Sequence, residues 1–315
     1  MTSKPISDDS NTHKNQPPST KEKIPLSLTL ESGRNLAYAI YGPPNAINTV
    51  FHCNGSGGSR LEHPPLGKYL ETLNSLSLRF VSIDRPGHGA SDYQDSRTLE
   101  DFSRDVAALA DHLEAERFYI EGWSAGGAYA LAVAHFYPTR VIRCAILSGI
   151  APPERPAPYA GIIGQVKVWM FMSRNFSPLV YPFRRMMASV FESKSADELG
   201  LMICQGDAAD EVEIRGIKEA QLMMGNNFKE GYRQGHVGPA LDDLIINRPW
   251  GFRLEDIKVD VDLWWGEVDQ NVPLCQGKYI ESKLTNCQLK VMDGCAHLFP
   301  LTKWREILES LLRNE

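Results

Sequence analysis

The stretch Phe118-Tyr119-Ile120-Glu121-Gly122-Trp123-Ser124-Ala125-Gly126-Gly127 holds one serine between glycines two residues away on either side. The apolar run Phe118 to Ile120 precedes the serine, and a continuous helix-forming segment, Ala125 to Tyr137, follows it. This is the pattern G-x-S-x-G at a junction of strand and helix. A serine presented there takes a strained backbone conformation in a sharp turn, and the flanking glycines remove the Cβ atoms that would collide across it. The strain lifts the hydroxyl clear of the sheet. The helix turns its unpaired N–H groups and the positive end of its dipole towards the same point, where they stabilise developing negative charge. Ser124 is therefore the candidate nucleophile, and the remaining sequence is expected to supply a base, an acid and a second N–H donor.

On both sides of this segment short β-like runs alternate with helical patterns, which predicts a mostly parallel sheet covered on both faces. Ile24 to Leu30 and Asn35 to Tyr41 read as an antiparallel hairpin joined through Ser32-Gly33. Further strands are expected at Thr49 to His52, Phe80 to Asp84, Phe118 to Gly122, Cys144 to Ser148, Val261 to Trp265 and Leu289 to Met292. Helices are expected at Leu66 to Ser75, Leu99 to Ala115, Ala125 to Tyr137, Pro273 to Lys283 and Lys303 to Leu312. Thr98 with Asp101 resembles a capping box for the second of these, and Phe102, Val106, Leu109 and Leu113 share one face as core residues.

From about Ala151 to Glu255 the alternation stops. The stretch opens with Ala-Pro-Pro-Glu-Arg-Pro-Ala-Pro, continues with helical segments rich in Met and aromatic residues such as Trp169, Phe171 and Met187, and carries an acidic patch at Asp207 to Glu213. Strand patterns resume at Val261, so this is an insertion of helices between the sixth and seventh strands, read as a lid whose Met and aromatic residues form its own core. The expected organisation is a disordered tail over 1–23, a core over 24–150 and 256–315, and a helical lid over 151–255.

Composition narrows the chemistry. A chain of 315 residues, 43% of them hydrophobic, can fill the core of one large α/β domain. A formal net charge of -6, a pI near 5.8 and the lack of any long Lys/Arg block point away from nucleic acid and anionic membrane, and towards a small-molecule substrate. The six cysteines are scattered, with no C-x-x-C pair and no zinc-ligand spacing, so neither a disulfide framework nor a metal is expected. The polar tail has no apolar stretch that could act as a signal peptide. No window reaches the roughly 18 apolar residues of a membrane span, and a cytoplasmic location is expected.

A serine hydroxyl needs a base within hydrogen-bond reach, and the base needs a carboxylate to fix its tautomer. His297 is the candidate base, because Asp293-Gly294-Cys295-Ala296-His297-Leu298-Phe299-Pro300 is a turn-rich loop between the last strand and the last helix. His135 lies within a helix, His13 in the tail and His236 in the insertion. Asp269 is the candidate acid: Leu263-Trp264-Trp265-Gly266-Glu267-Val268-Asp269 carries it just past a strand's carboxyl end, with Glu267 as its rival. The order serine, acid, histidine is one of those in which such triads occur. Ala125 N–H is the expected first oxyanion donor, and Asn54 N–H, from His52-Cys53-Asn54-Gly55-Ser56-Gly57-Gly58-Ser59-Arg60, the second. That glycine-rich loop lacks the spacing of a phosphate cradle.

With these residues in place, the sequence from about Leu26 to Leu312 resembles the α/β-hydrolase superfamily. The elbow at Ser124, the Gly266-x-x-Asp269-x-x-Val272-Pro273 segment and the Gly294-x-x-His297 loop are similar to that family's nucleophile, acid and base regions. Asp84-Arg85-Pro86-Gly87-His88-Gly89-Ala90-Ser91 is similar to its turn after the fourth strand, an architectural element in which His88 is not the base. Arg248-Pro249-Trp250-Gly251-Phe252 looks like a run found in a microbial group of proline-iminopeptidase-like and esterase-like members. One departure stands out: Cys53 and Asn54-Gly55-Ser56-Gly57-Gly58 replace the usual H-G-x-P-G. The resemblance implies an α/β-hydrolase fold, with an eight-stranded mostly parallel sheet, flanking helices and a helical lid between strands six and seven.

The expected chemistry is hydrolysis of a carboxylic ester, or a related acyl bond, of a small and largely apolar molecule through an acyl-enzyme, with no cofactor. A C–C bond next to a carbonyl, or a small amide, could be cleaved on the same triad. From a different class, a ligand-binding receptor with a retained triad is the alternative. Epoxide hydrolases and haloalkane dehalogenases share the fold but use a carboxylate at the elbow, where this chain has Ser124.

Overall fold

Eight strands, β1 (Leu26–Thr29), β2 (Asn35–Tyr41), β3 (Asn48–Cys53), β4 (Leu78–Ile83), β5 (Phe118–Trp123), β6 (Val141–Leu147), β7 (Val261–Gly266) and β8 (Cys287–Met292), form one sheet in the order β1-β2-β4-β3-β5-β6-β7-β8. A computed structural model of the chain describes residues 25–63, 66–153, 164–205 and 208–313. The expected disordered tail over 1–23 and most of the proline-rich opening of the insertion lie outside the described residues. β1 and β2 pair antiparallel, as do β2 and β4; every other pairing is parallel.

The central strands β3 to β7 are buried along most of their length because both of their faces are covered. Successive side chains of a strand point to opposite sides. Accordingly Phe51, Val81, Ile120 and Trp265 enter one core, while their chain neighbours Val50, Phe80, Tyr119 and Trp264 enter another. Helices α2 (Leu99–His112), α3 (Gly126–Phe136) and α10 (Leu274–Lys283) cover the first core, with Phe102, Val106, Leu131 and Ile280 buried against it. Helices α1 (Leu66–Ser75) and α11 (Pro300–Leu311) cover the second, through Leu73, Trp304, Leu308 and Leu311.

Element ends differ from expectation for local reasons. The capping box at Thr98 and Asp101 is present, but α2 stops at His112 and not Ala115. Glu114 takes φ +55°, and Ala115 N–H turns back to the Ala110 carbonyl at 2.8 Å, which closes the last turn in the manner usually given to glycine. Helix α11 starts at Pro300, three residues before the expected Lys303, because proline suits a first helical turn whose N–H groups have no partner.

Among the described residues six α-helices lie between β6 and β7: α4 (Gly164–Asn175), α5 (Val180–Ser193), α6 (Ala196–Cys204), α7 (Ala208–Ile214), α8 (Lys218–Gly231) and α9 (Val237–Ile246). α6 and α8 cross with backbones in contact. A Cβ on Gly225 would stand 1.8 Å from the Ala196 carbonyl oxygen, and one on Gly200 2.0 Å from that of Gln221. Of the Met and aromatic residues in this region, Met223 and Met224 are buried while Phe171 and Met186 are exposed. No helix among the described residues is long and apolar enough to cross a membrane.

Candidate active site

Ser124 sits directly after β5 and before α3 with φ +55°, a left-handed conformation costly for a residue with a Cβ. Its N–H is held by the Leu147 carbonyl at 2.9 Å, and its carbonyl accepts from Gly127 N–H at 3.0 Å and Ile150 N–H at 3.2 Å. The elbow is tight. A Cβ on Gly122 would lie 2.3 Å from the Gly126 carbonyl oxygen, and one on Gly126 would lie 1.9 Å from that of Cys53. Those contacts explain both glycines and press the first turn of α3 against the end of β3. Among the described residues, neither Ala125 N–H nor Asn54 N–H donates to a protein acceptor. Both remain available to an oxyanion.

Asp269 and His297 meet across the loops that follow β7 and β8. Asp269 Oδ2 is 2.8 Å from His297 Nδ1, while Oδ1 accepts the N–H groups of Asn271 and Val272 at 2.8 Å each. The contact occupies Nδ1 and leaves Nε2 as the remaining ring nitrogen. Glu267, the rival acid, is exposed and accepts Gly294 N–H at 2.9 Å, so it braces the histidine loop from the side. The ring of Trp123, next to Ser124 in the chain, lies 6.1 Å from that of His297 and donates Nε1–H to its carbonyl at 3.1 Å. Burial pulls the His297 pKa down, but Asp269, Asp210 and Glu62 together outweigh it and hold the imidazole above its ordinary value. Asp210, from α7, also accepts Leu298 N–H at 2.7 Å. Asp210 thereby links the acidic patch of the sequence to the histidine loop.

Beneath the oxyanion loop lies a buried group that sequence reasoning missed. His52 is fully buried between Glu121, 2.9 Å from Nδ1, and Glu62, 2.9 Å from Nε2. Burial opposes its protonation, yet the two carboxylates raise its pKa to about 9, so at neutral pH it is an imidazolium. Glu62 also accepts Gly55 N–H at 2.9 Å and Asn227 Nδ2 at 2.9 Å, tying the loop to α8. A glutamate within the apolar strand β5 was the available signal for Glu121: a charge there requires a buried partner.

The Asp84–Ser91 turn does more than the architectural work expected of it. Arg85, fully buried, donates to the carbonyl and the side-chain oxygen of Asn54, to the Gly55 carbonyl at 2.8 Å, and to Asp242 of α9. Asn54 Nδ2 donates to the Ile83 carbonyl at 2.7 Å, so the whole residue is fixed in place. Asp242 is shared with Arg97 and Tyr129, while Asp243 is held through both oxygens by Nε and Nη2 of Arg184 of α5, which also reaches Ser56 Oγ and Tyr232 OH. His88 is buried in this cluster, and burial together with Arg85 and Arg97 keeps it neutral, with its pKa down at about 3 despite Asp242. Two consecutive aspartates in the otherwise apolar α9, Val-Gly-Pro-Ala-Leu-Asp-Asp-Leu-Ile-Ile, were the readable trace of this arrangement.

Comparison with known proteins agrees with this architecture. The family profile described as alpha/beta hydrolase fold matches residues 48–303. A relative in sequence is 2-hydroxy-6-oxononadienedioate/2-hydroxy-6-oxononatrienedioate hydrolase 1 of Pseudomonas putida, 26% identical over 272 residues that cover 84% of this chain and 85% of that one. Among solved structures, the enol-lactonase from Burkholderia xenovorans LB400 superposes with a TM-score of 0.65 at 18% identity, over 91% of this chain and 99% of that one. An esterase from Exiguobacterium antarcticum does so with a TM-score of 0.66 at 14% identity, over 92% and 98%. At such identities the structural matches speak for the fold alone.

Proposed function

This chain belongs to the alpha/beta hydrolase fold family, and from that premise we propose that it is a serine hydrolase cleaving a carboxylic ester, or a related acyl bond, of a small and largely apolar molecule. Ser124 Oγ attacks the carbonyl carbon while His297 Nε2 takes its proton. Asp269 fixes the proton-bearing Nδ1 of the same ring and stabilises the imidazolium that forms. The tetrahedral oxyanion is held by Ala125 N–H and Asn54 N–H. Its collapse expels the alcohol with the proton returned by His297, and water, activated by the same imidazole, releases the acid from Ser124. Helices α4–α9, within 151–255, form the lid over the core segments 24–150 and 256–315.

The observation that carries this reading is the 2.8 Å contact of Asp269 with His297 Nδ1, made on loops that touch Trp123, the chain neighbour of a serine in strained left-handed geometry. Labelling by a fluorophosphonate and turnover of p-nitrophenyl esters of graded chain length test it. Both are expected in the native protein, both should vanish in Ser124→Ala, and Ser124→Ala and His297→Ala should each lower turnover by on the order of 10⁴ to 10⁶. A folded protein that neither labels nor turns over any activated ester would support the receptor alternative instead. Cleavage of a C–C bond next to a carbonyl on the same residues is the second reading, favoured by the name of the Pseudomonas putida relative. Product analysis on a vinylogous 1,5-diketone acid beside the esters separates the two.

A further inference from the structure

Five arginines and no lysine are buried among the described residues, and each of the five has a carboxylate at 3.9 Å or less. The two that reach the oxyanion loop are both committed: Arg85 to Asp242, and Arg184 to both oxygens of Asp243. Arg60, at the end of that loop, lies between Asp84 at 2.6 Å and Glu230 at 2.7 Å. The carboxylates near the reacting groups are not balanced in the same way. Asp269, Asp210 and Glu62 all act on His297 in one direction. Glu62 Oε2 and Ser124 Cβ lie 3.8 and 3.7 Å from the same point, where a side chain on Gly55 would begin. His52, whose pKa the two carboxylates raise, lies between Glu62 and Glu121 and is shared by both.

Resting on the serine-hydrolase reading, we infer that this site selects substrates whose acyl part is uncharged, and rejects those carrying a carboxylate near the scissile carbonyl. A substrate carboxylate taken out of water needs a cation to replace its hydration. Here the buried cations already have their counter-ions, and the carboxylates beside Ser124 and His297 repel a further negative charge. The inference separates this chain from the relative whose name specifies a dioate.

The test is a pair of substrates of equal length, p-nitrophenyl methyl glutarate and mono-p-nitrophenyl glutarate, one neutral and one anionic. The neutral ester is expected to have the higher kcat/KM by about tenfold or more, equivalent to about 1.4 kcal/mol. Equal values, or a preference for the anion, overturn the inference. The dissociation constants of the same pair on Ser124→Ala, measured by calorimetry, should show the same order without any turnover. If the native protein hydrolyses neither ester, the serine-hydrolase reading fails, and the ratio of dissociation constants still decides the charge preference. Asp243→Asn releases the charge of Arg184 and should narrow the ratio. A folded Asp243→Asn protein with the ratio unchanged overturns the attribution to arginine pairing.

Discussion

Replacing His52 by glutamine tests the bracing of the oxyanion loop. The imidazole lies between two carboxylates at 2.9 Å each, with no exposure, and Glu121 Oε2 has no hydrogen-bond partner of its own. Glutamine can bond to both neighbours but cannot cancel their charge, and breaking a buried pair typically costs about 3–5 kcal/mol. A pH signature accompanies that loss. The folded pKa of His52 is about 9 against an ordinary 6.5, so its stabilisation is fully present below pH 6.5 and disappears as pH rises towards about 9. A shift of that size corresponds to roughly 3 kcal/mol. Urea unfolding followed by tryptophan fluorescence, at a series of pH values between the two limits, should show the native protein losing about that much more stability than His52→Gln. The buried thiol of Cys53, whose pKa burial raises to about 12, adds its own loss only above pH 9 and is common to both proteins. Parallel stability curves for the two proteins over that interval would refute a protonated His52.

Two further outcomes follow from the site. Asp210→Asn removes one of the carboxylates that raise the His297 pKa, so the acid limb of kcat/KM should move to lower pH; a loss of rate with the limb unmoved would mean that Asp210 only supports the loop through Leu298 N–H. Gly126→Ala places a Cβ 1.9 Å from the Cys53 carbonyl oxygen and 2.7 Å from that of Asn54, both backbone atoms at the end of β3. The strain should cost about 3 kcal/mol or more, and an unchanged melting temperature would contradict the close approach described here.

What the sequence made legible is what depends on neighbours in the chain. The elbow is spelled by residues within two positions of Ser124, the capping box by Thr98 and Asp101, and the strands by their apolar runs. The choice between Glu267 and Asp269 could be argued from distance along the loop; in the structure Asp269 turns to His297 and Glu267 to Gly294 N–H. The supports of the oxyanion loop were a different matter. Glu62 and Glu121 converge on His52 from separate segments, Asp210 comes from the inserted helices, and Arg85 binds Asn54 from the turn after β4. Apart from Glu121, whose place in an apolar strand was a signal, each is an ordinary charged residue by itself. Their common purpose arises only when the sheet brings β3, β4 and β5 side by side, a pairing order with no imprint on local periodicity.

The position of α11 bears on when a newly made chain acquires reactivity. Trp304 of that helix packs its ring 6.1 Å from His52 and 6.2 Å from Trp123, and its Nε1–H reaches Glu121 at 3.2 Å. The serine, by contrast, belongs to a strand translated long before. On the proposed function, a growing polypeptide on the ribosome thus carries Ser124 unarmed, without the imidazole of His297 or the indole of Trp304, until the carboxyl-terminal segment emerges and docks. Removing the segment from Gly294 onwards, which carries both His297 and Trp304, should return the protein to that inert condition while leaving the elbow itself untouched.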